Sequence, residues 1–166
     1  ETRCTDDNAC KGKPCLNGFC ARDGLPEATS LILHGTKLWV TLQQLDRTRV
    51  FAPNNPGLLL ILDTATDNVT RQLTLAGRNP TQSIVSADGK SLWVVQTGQW
   101  FAKDDSPVLD GVVEVFDLDK EQSKGVVLRE KTLKGNLSTL TLASGDKAFA
   151  ILSGAARNTT LVELSL

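Results

Sequence analysis

The chain has 166 residues, 40% of them hydrophobic, which is enough for one domain with a real core and too apolar for a disordered segment. Lys and Arg total 18 against 19 Asp and Glu, and a net charge of -1 gives no electrostatic case for binding nucleic acid or an anionic membrane. The longest apolar run, residues 57–62, has the length of a strand rather than of a bilayer span.

Residue 1 is Glu and the sequence contains no Met. The expectation is a signal peptide removed upstream, with a cut from a longer chain as the other reading. All four cysteines, Cys4, Cys10, Cys15 and Cys20, lie in the first 20 residues, in a C-x5-C-x4-C-x4-C spacing. The surrounding residues are almost devoid of apolar side chains, so residues 1–24 are expected to form a head stapled by disulfides, with the connectivity open. A four-thiolate zinc site is the rival reading, and it lacks the C-x2-C knuckles that zinc favours. A fully paired head implies an oxidising location: periplasm, cell surface or medium. Residues 25–27 read as a linker.

From residue 28 onward the pattern is strand and turn, and it repeats. Trp39, Trp93 and Phe149 occupy equivalent points in GTKLWVTL, DGKSLWVV and GDKAFAIL, at steps of 54 and 56 residues. Asp63 closes LLLILD and Asp117 closes VVEVFD, again 54 apart. The first repeat predicts strands over 29–34, 37–43, 58–63 and 69–75. The second predicts 82–86, 91–97, 112–118 and 126–133, with Asp88-Gly89-Lys90 as a hairpin signal. The third predicts 138–143, 147–153 and 160–166, without a fourth strand. No stretch has convincing helical periodicity. Repeats of this size built from strands and turns predict an all-β fold of stacked sheets, about three propeller blades over 28–76, 77–134 and 135–166. Blades that bury both faces explain strands that are apolar nearly throughout.

The stretch LDTATDNVTRQLTLAGRNPTQSIVSADGKSLWVV resembles the YVTN-type, or surface-layer, β-propeller repeat. Asp63, Thr64, Asn68, Gly77, Asn79, Pro80, Asp88, Gly89, Lys90 and Trp93 fall on that pattern. In the third repeat Leu137 replaces the Pro, and Ser144-Gly145-Asp146 replaces Asp-Gly-Lys. Propellers close with about four to eight blades. Two and three-quarter blades therefore imply further blades from the same chain, a second chain, or self-association; the first is preferred.

Two long loops carry the candidate site: residues 44–57 and 98–111. Each joins a second strand to a third and is expected to emerge beside the blade-to-blade connection at Arg78 and Asn79. Phe51, Trp100, Phe101, Asp104, Asp105, Arg78 and Asn79 would then share one face, as rigid aromatics beside charges, the chemistry of interfaces. For Phe51 and Phe101 the favoured reading is a side chain tucked onto its own blade. Asp104, Asp105 and Asp110 could offer oxygen ligands to Ca²⁺, but a solvated acidic loop is preferred. His34, the single histidine, reads as a turn residue at a blade rim. No nucleophile elbow, phosphate loop or multi-histidine metal site appears, so no catalytic residue, metal or cofactor is assigned.

The sequence therefore reads as an exported, non-catalytic binding or assembly module with a protein or surface-polymer partner. The resemblance also implies a rival: part of a propeller enzyme, lactonase-like or quinoprotein-type, with its site in other blades. A third reading is a structural surface-layer or filament subunit.

Overall fold

The computed structural model describes residues 5, 7–10, 15–16, 19–20, 27–45, 53, 55–99, 108–143, 147–154 and 158–165. In the head, a 3-10 turn at Asp7–Cys10 precedes a small hairpin of β1 (Cys15–Leu16) and β2 (Phe19–Cys20), whose backbone register sets Cys15 opposite Cys20. The expected disulfides involve Cys4 and the side chains of Cys10, Cys15 and Cys20, which lie outside the described residues.

The rest is all-β: three antiparallel sheets of four, four and three strands. The first holds β3 (Ala28–His34), β4 (Lys37–Leu42), β5 (Pro56–Asp63) and β6 (Asn68–Arg78), in chain order. The second holds β7 (Pro80–Val85), β8 (Ser91–Gln96), β9 (Val112–Asp117) and β10 (Gln122–Arg129). The third holds β11 (Asn136–Leu142), β12 (Lys147–Ser153) and β13 (Thr159–Ser165). Each sheet is a consecutive meander paired to its neighbours in sequence, the topology of propeller blades.

The two spacing markers have structural causes. Asp63 and Asp117 each end a third strand and cap the turn into the fourth. Asp63 Oδ1 accepts from Ala65 N (3.0 Å) and Thr66 N (3.2 Å), and Asp117 Oδ1 accepts from Lys120 N (2.9 Å). A short carboxylate can bond to the backbone two or three residues on, which is why Asp sits there. Asp88 does the same in the Asp-Gly-Lys turn, accepting from Lys90 N at 3.0 Å.

Blades pack face to face through two cores. The first joins Trp39, Leu59, Ile61 and Leu75 to Leu92, Val94, Phe116 and Leu118. The second joins Val95 and Val113 to Leu137, Leu140, Ala148, Ala150, Leu152 and Leu164. Val94 and Val95 are adjacent yet belong to different cores, because strand side chains alternate between faces. The second sheet is therefore apolar on both sides. Full burial of an aliphatic side chain such as Ile61 or Leu59 contributes on the order of 1.5–3 kcal/mol.

One expectation is corrected. The segment expected as a strand over 126–133 leaves the sheet after Arg129, and Glu130–Leu133 forms a single helical turn, α1. Lys134 closes it in a left-handed conformation (φ 58), with its N–H donating to Glu130 O at 2.7 Å. The cause is tertiary. The Glu130 side chain is drawn inward by two backbone donors, and Leu133 packs against the second core.

Candidate functional site

The face that carries the blade connections is built on Asn79, the one residue between β6 and β7. Its φ of 54° is left-handed, a conformation Asn tolerates better than most residues. It is held on every side. Asn79 O accepts from Thr97 N (3.0 Å), its Nδ2 donates to Thr97 Oγ1 (3.1 Å) and Gly98 O (3.2 Å), and its Oδ1 accepts from Gln43 Nε2 (2.7 Å). Asn79 thus ties the start of the first long loop to the start of the second. Arg78 O accepts from Gly98 N (3.0 Å), and the Arg78 guanidinium pairs with Asp110 at the far end of the second loop. Asp110 also accepts from Gln99 N at 2.8 Å. Gly98 has a φ of 58°, and a Cβ there would collide with the Asp110 carboxylate, so any side chain at this loop root is strained and displaces that carboxylate.

Behind this surface is a row of buried polar side chains turned onto backbone N–H groups. Gln96 Oε1 accepts from Gly77 N (2.6 Å), and Glu114 Oε2 accepts from Ala76 N (2.8 Å). Ser123 Oγ donates to Glu114 Oε1 at 2.6 Å. At the next junction Glu130 Oε2 accepts from Gly111 N (2.8 Å) and Oε1 from Leu137 N (2.6 Å). Each bond crosses between strands or blades, and those to Gly77, Gly111 and Leu137 satisfy N–H groups that burial would otherwise orphan. Burial pushes the Glu130 carboxyl up from 4.5 to about 7. The two N–H donors work against that shift, and the nearby Asp110 charge adds to it.

The innermost strands are clasped too. Thr29 Oγ1 donates to Pro80 O (2.8 Å), joining β3 to β7. Gln82 joins β7 to β11 by donating to Leu140 O and accepting from Leu140 N, both at 3.0 Å. On the opposite face His34 bonds Asp119 at 3.0 Å, linking turns of neighbouring blades. The three turn aspartates there lie below the usual carboxylate range. Lys37 is the chief cause for Asp63, Ser86 for Asp88, and the Lys120 N–H for Asp117.

Of the residues singled out from the sequence, Arg78 and Asn79 stand on the connection face, each engaged within the chain. Phe51, Trp100, Phe101, Asp104 and Asp105 lie outside the described residues. Asp110, weighed as a calcium ligand, is taken up by Arg78 and Gln99 N. Among the described residues no group of three His, Cys, Asp or Glu side chains is placed to hold a metal ion, and no helix is long and apolar enough to cross a membrane. The buried fasteners Gln96, Glu114 and Glu130 were not singled out from sequence. Glu114 left a signal, because a carboxylate inside the apolar run VVEVF requires a donor.

No family model matches the sequence, and no curated protein matches it. Among solved structures, the chain is similar to the β-propeller domain of the trilobed protease from Pyrococcus furiosus, with 16% sequence identity and a TM-score of 0.48. The match covers 87% of this chain and 41% of that chain, so this chain spans less than half the length of the structure it resembles.

Proposed function

We propose that this chain is a β-propeller segment of the YVTN repeat type that acts outside the cytoplasm as a non-catalytic binding or assembly module. Its blades form a rigid scaffold. The loops rooted at Gln43, Gly98 and Asp110 present Phe51, Trp100, Phe101, Asp104 and Asp105 to a protein or surface-polymer partner. The observation that carries this reading is the anchoring of both loop roots to one residue, Asn79. Fixed roots lower the ordering cost that a loop meets on binding. The polar groups behind the face are spent on backbone donors, which supports a structural rather than a catalytic use for them.

The test is a photo-crosslinking residue placed at Trp100 and, as control, at Thr66 on the opposite face, in the secreted or envelope fraction of the source. The expected result is one discrete high-mass adduct from position 100 and none from position 66. No adduct from position 100, or the same adduct from both positions, contradicts the reading.

A further inference from the structure

Glu130 is the most deeply buried charged side chain among the described residues, at 1% exposure. It grips one residue twice. The Glu130 N–H donates to Gly111 O at 3.0 Å, and the Gly111 N–H donates back to Glu130 Oε2 at 2.8 Å. The other carboxyl oxygen, Oε1, accepts from Leu137 N at 2.6 Å. One residue thus fastens the end of the segment 98–111 to the start of β11. The fit is close: a Cβ on Gly111 would stand 2.4 Å from Glu130 Cδ, so the carboxyl occupies the room that a side chain there would need. Asn136 Nδ2, donating to Val108 O at 3.3 Å, is a further tie across the same junction.

The fastener is ionisable, and its surroundings disfavour its charge. The Asp110 carboxylate beside Gly111 adds to the upward push of burial. The Arg78 guanidinium is taken up by Asp110. Arg129, Lys131 and Lys134 lie on or beside the helical turn and are exposed to solvent. β8 and β11 hold no charged residue. On β9, Glu114 is turned onto Ala76 N and Ser123 Oγ, and Asp117 caps the turn at the far end. Lys124 of β10 reaches Ser91 Oγ, and Lys147 of β12 pairs with Glu163. A buried carboxyl placed like this either keeps its proton or moves into water.

We propose that Glu130 is a proton-operated latch: protonated, it stays buried and holds residues 108–111 against the start of β11, and on losing the proton it is drawn toward water, so that this junction parts locally while the sheets stay folded. In the parted junction Glu130 ionises near its ordinary 4.5, whereas the closed junction holds the proton up to about 7. The parted fraction therefore rises between pH 4.5 and pH 7 and levels off above. That span corresponds to a change of more than about a hundredfold. The latch concerns how residues 108–111 and 137 are held, so it stands or falls apart from the loop-face reading above.

Residue-resolved amide hydrogen exchange of the whole chain, corrected for the intrinsic pH dependence of exchange and repeated at low urea concentrations, tests it. Gly111 and Leu137 are expected to exchange through an opening smaller than global unfolding, with a weaker urea dependence than Val94 in the middle of the second sheet. Their protection is expected to fall about a hundredfold from pH 5 to pH 7.5 in the wild type and to stay level in Glu130→Gln. The carboxyl ¹³C shift of Glu130, which needs no variant, is expected to titrate with a midpoint of about 7. Gly111 and Leu137 sharing the protection and urea dependence of Val94 would overturn the latch, because the junction then opens only with the whole fold. The same pH-driven fall in Glu130→Gln, or a wild-type midpoint near 4.5, overturns it as well.

Discussion

The two blade joins are built from different materials. Between the first and second sheets the core is large: Trp39 and Phe116 are almost fully buried among Leu59, Ile61 and Leu92. Between the second and third sheets it is small: Ala148 and Ala150 stand where the first join has Leu92 and Val94, and Trp93 packs against them only partly buried. The polar fastening differs in the same sense. The first join is tied at many points along its length, by Gly77 N–Gln96, Ala76 N–Glu114, Thr29–Pro80 and His34–Asp119. The second is tied by Gln82, by Asn136 Nδ2 donating to Val108 O at 3.3 Å, and by one deeply buried carboxylate, Glu130. The lesson is a trade. A join rich in large apolar side chains is held by volume, and losing one polar tie costs it little. A join of small side chains leans on its buried carboxylate.

The largest expected effect comes from emptying the large core. Trp39→Ala should cost about 3–5 kcal/mol of unfolding free energy, read from the urea midpoint. The cost should fall toward the lower end of that range, because Trp39 Nε1 is buried with no hydrogen-bond partner among the described residues and its removal relieves an unmet donor. Next comes the polar bolt of the second join. Glu130→Ala leaves the N–H groups of Gly111 and Leu137 without their acceptor and should cost about 2 kcal/mol. Hydrogen exchange should accelerate at Gly111 and Leu137 first. A loss shared evenly by both joins would break the comparison.

The pH dependence sharpens it. The Glu130 pKa rises from 4.5 to about 7 on folding, so the folded state holds that proton more tightly. Its contribution to stability is complete below 4.5 and is lost as pH climbs through about 7. The turn aspartates act in the opposite sense. The pKa values of Asp63, Asp88 and Asp117 lie below 3.8 in the fold, so their contribution is present above 3.8 and fades only in stronger acid. Denaturant titrations at pH 5 and pH 8 should therefore show the wild type losing stability relative to Glu130→Gln as pH rises. Equal slopes for the two proteins would remove Glu130 from the account. The smallest effect is expected at the rim. His34→Ala breaks a partly exposed pair with Asp119 and should shift stability by no more than about 0.5 kcal/mol in a thermal melt.

The architecture was readable because its markers are local chemistry repeated. Trp39, Trp93 and Phe149 recur at one point of the second strand, and Asp63 and Asp117 recur because the same turn needs the same short carboxylate. The helical turn at Glu130 was not readable. Residues 126–133 have the composition of a strand, and what bends them away is a pair of donors at Gly111 and Leu137, set by the third dimension. The same holds for His34 and Asp119, which are 85 positions apart in sequence. The near-continuous apolar run of β5 follows the same logic: Leu59 and Ile61 are fully buried against the second sheet, and Leu58, Leu60 and Leu62 on the outer face are partly buried. For the site, the sequence located Arg78 and Asn79 on the connection face without revealing that both are fastened within the chain.

The central claim is that, among the described residues, the second sheet is packed on both faces while the first and third are each packed against it on one. Amide hydrogen exchange tests it most directly. The account predicts slowest exchange in β8 and β9, with β3 and β13 losing protection first. Protection in β3 and β13 equal to that in β8 and β9 would contradict it.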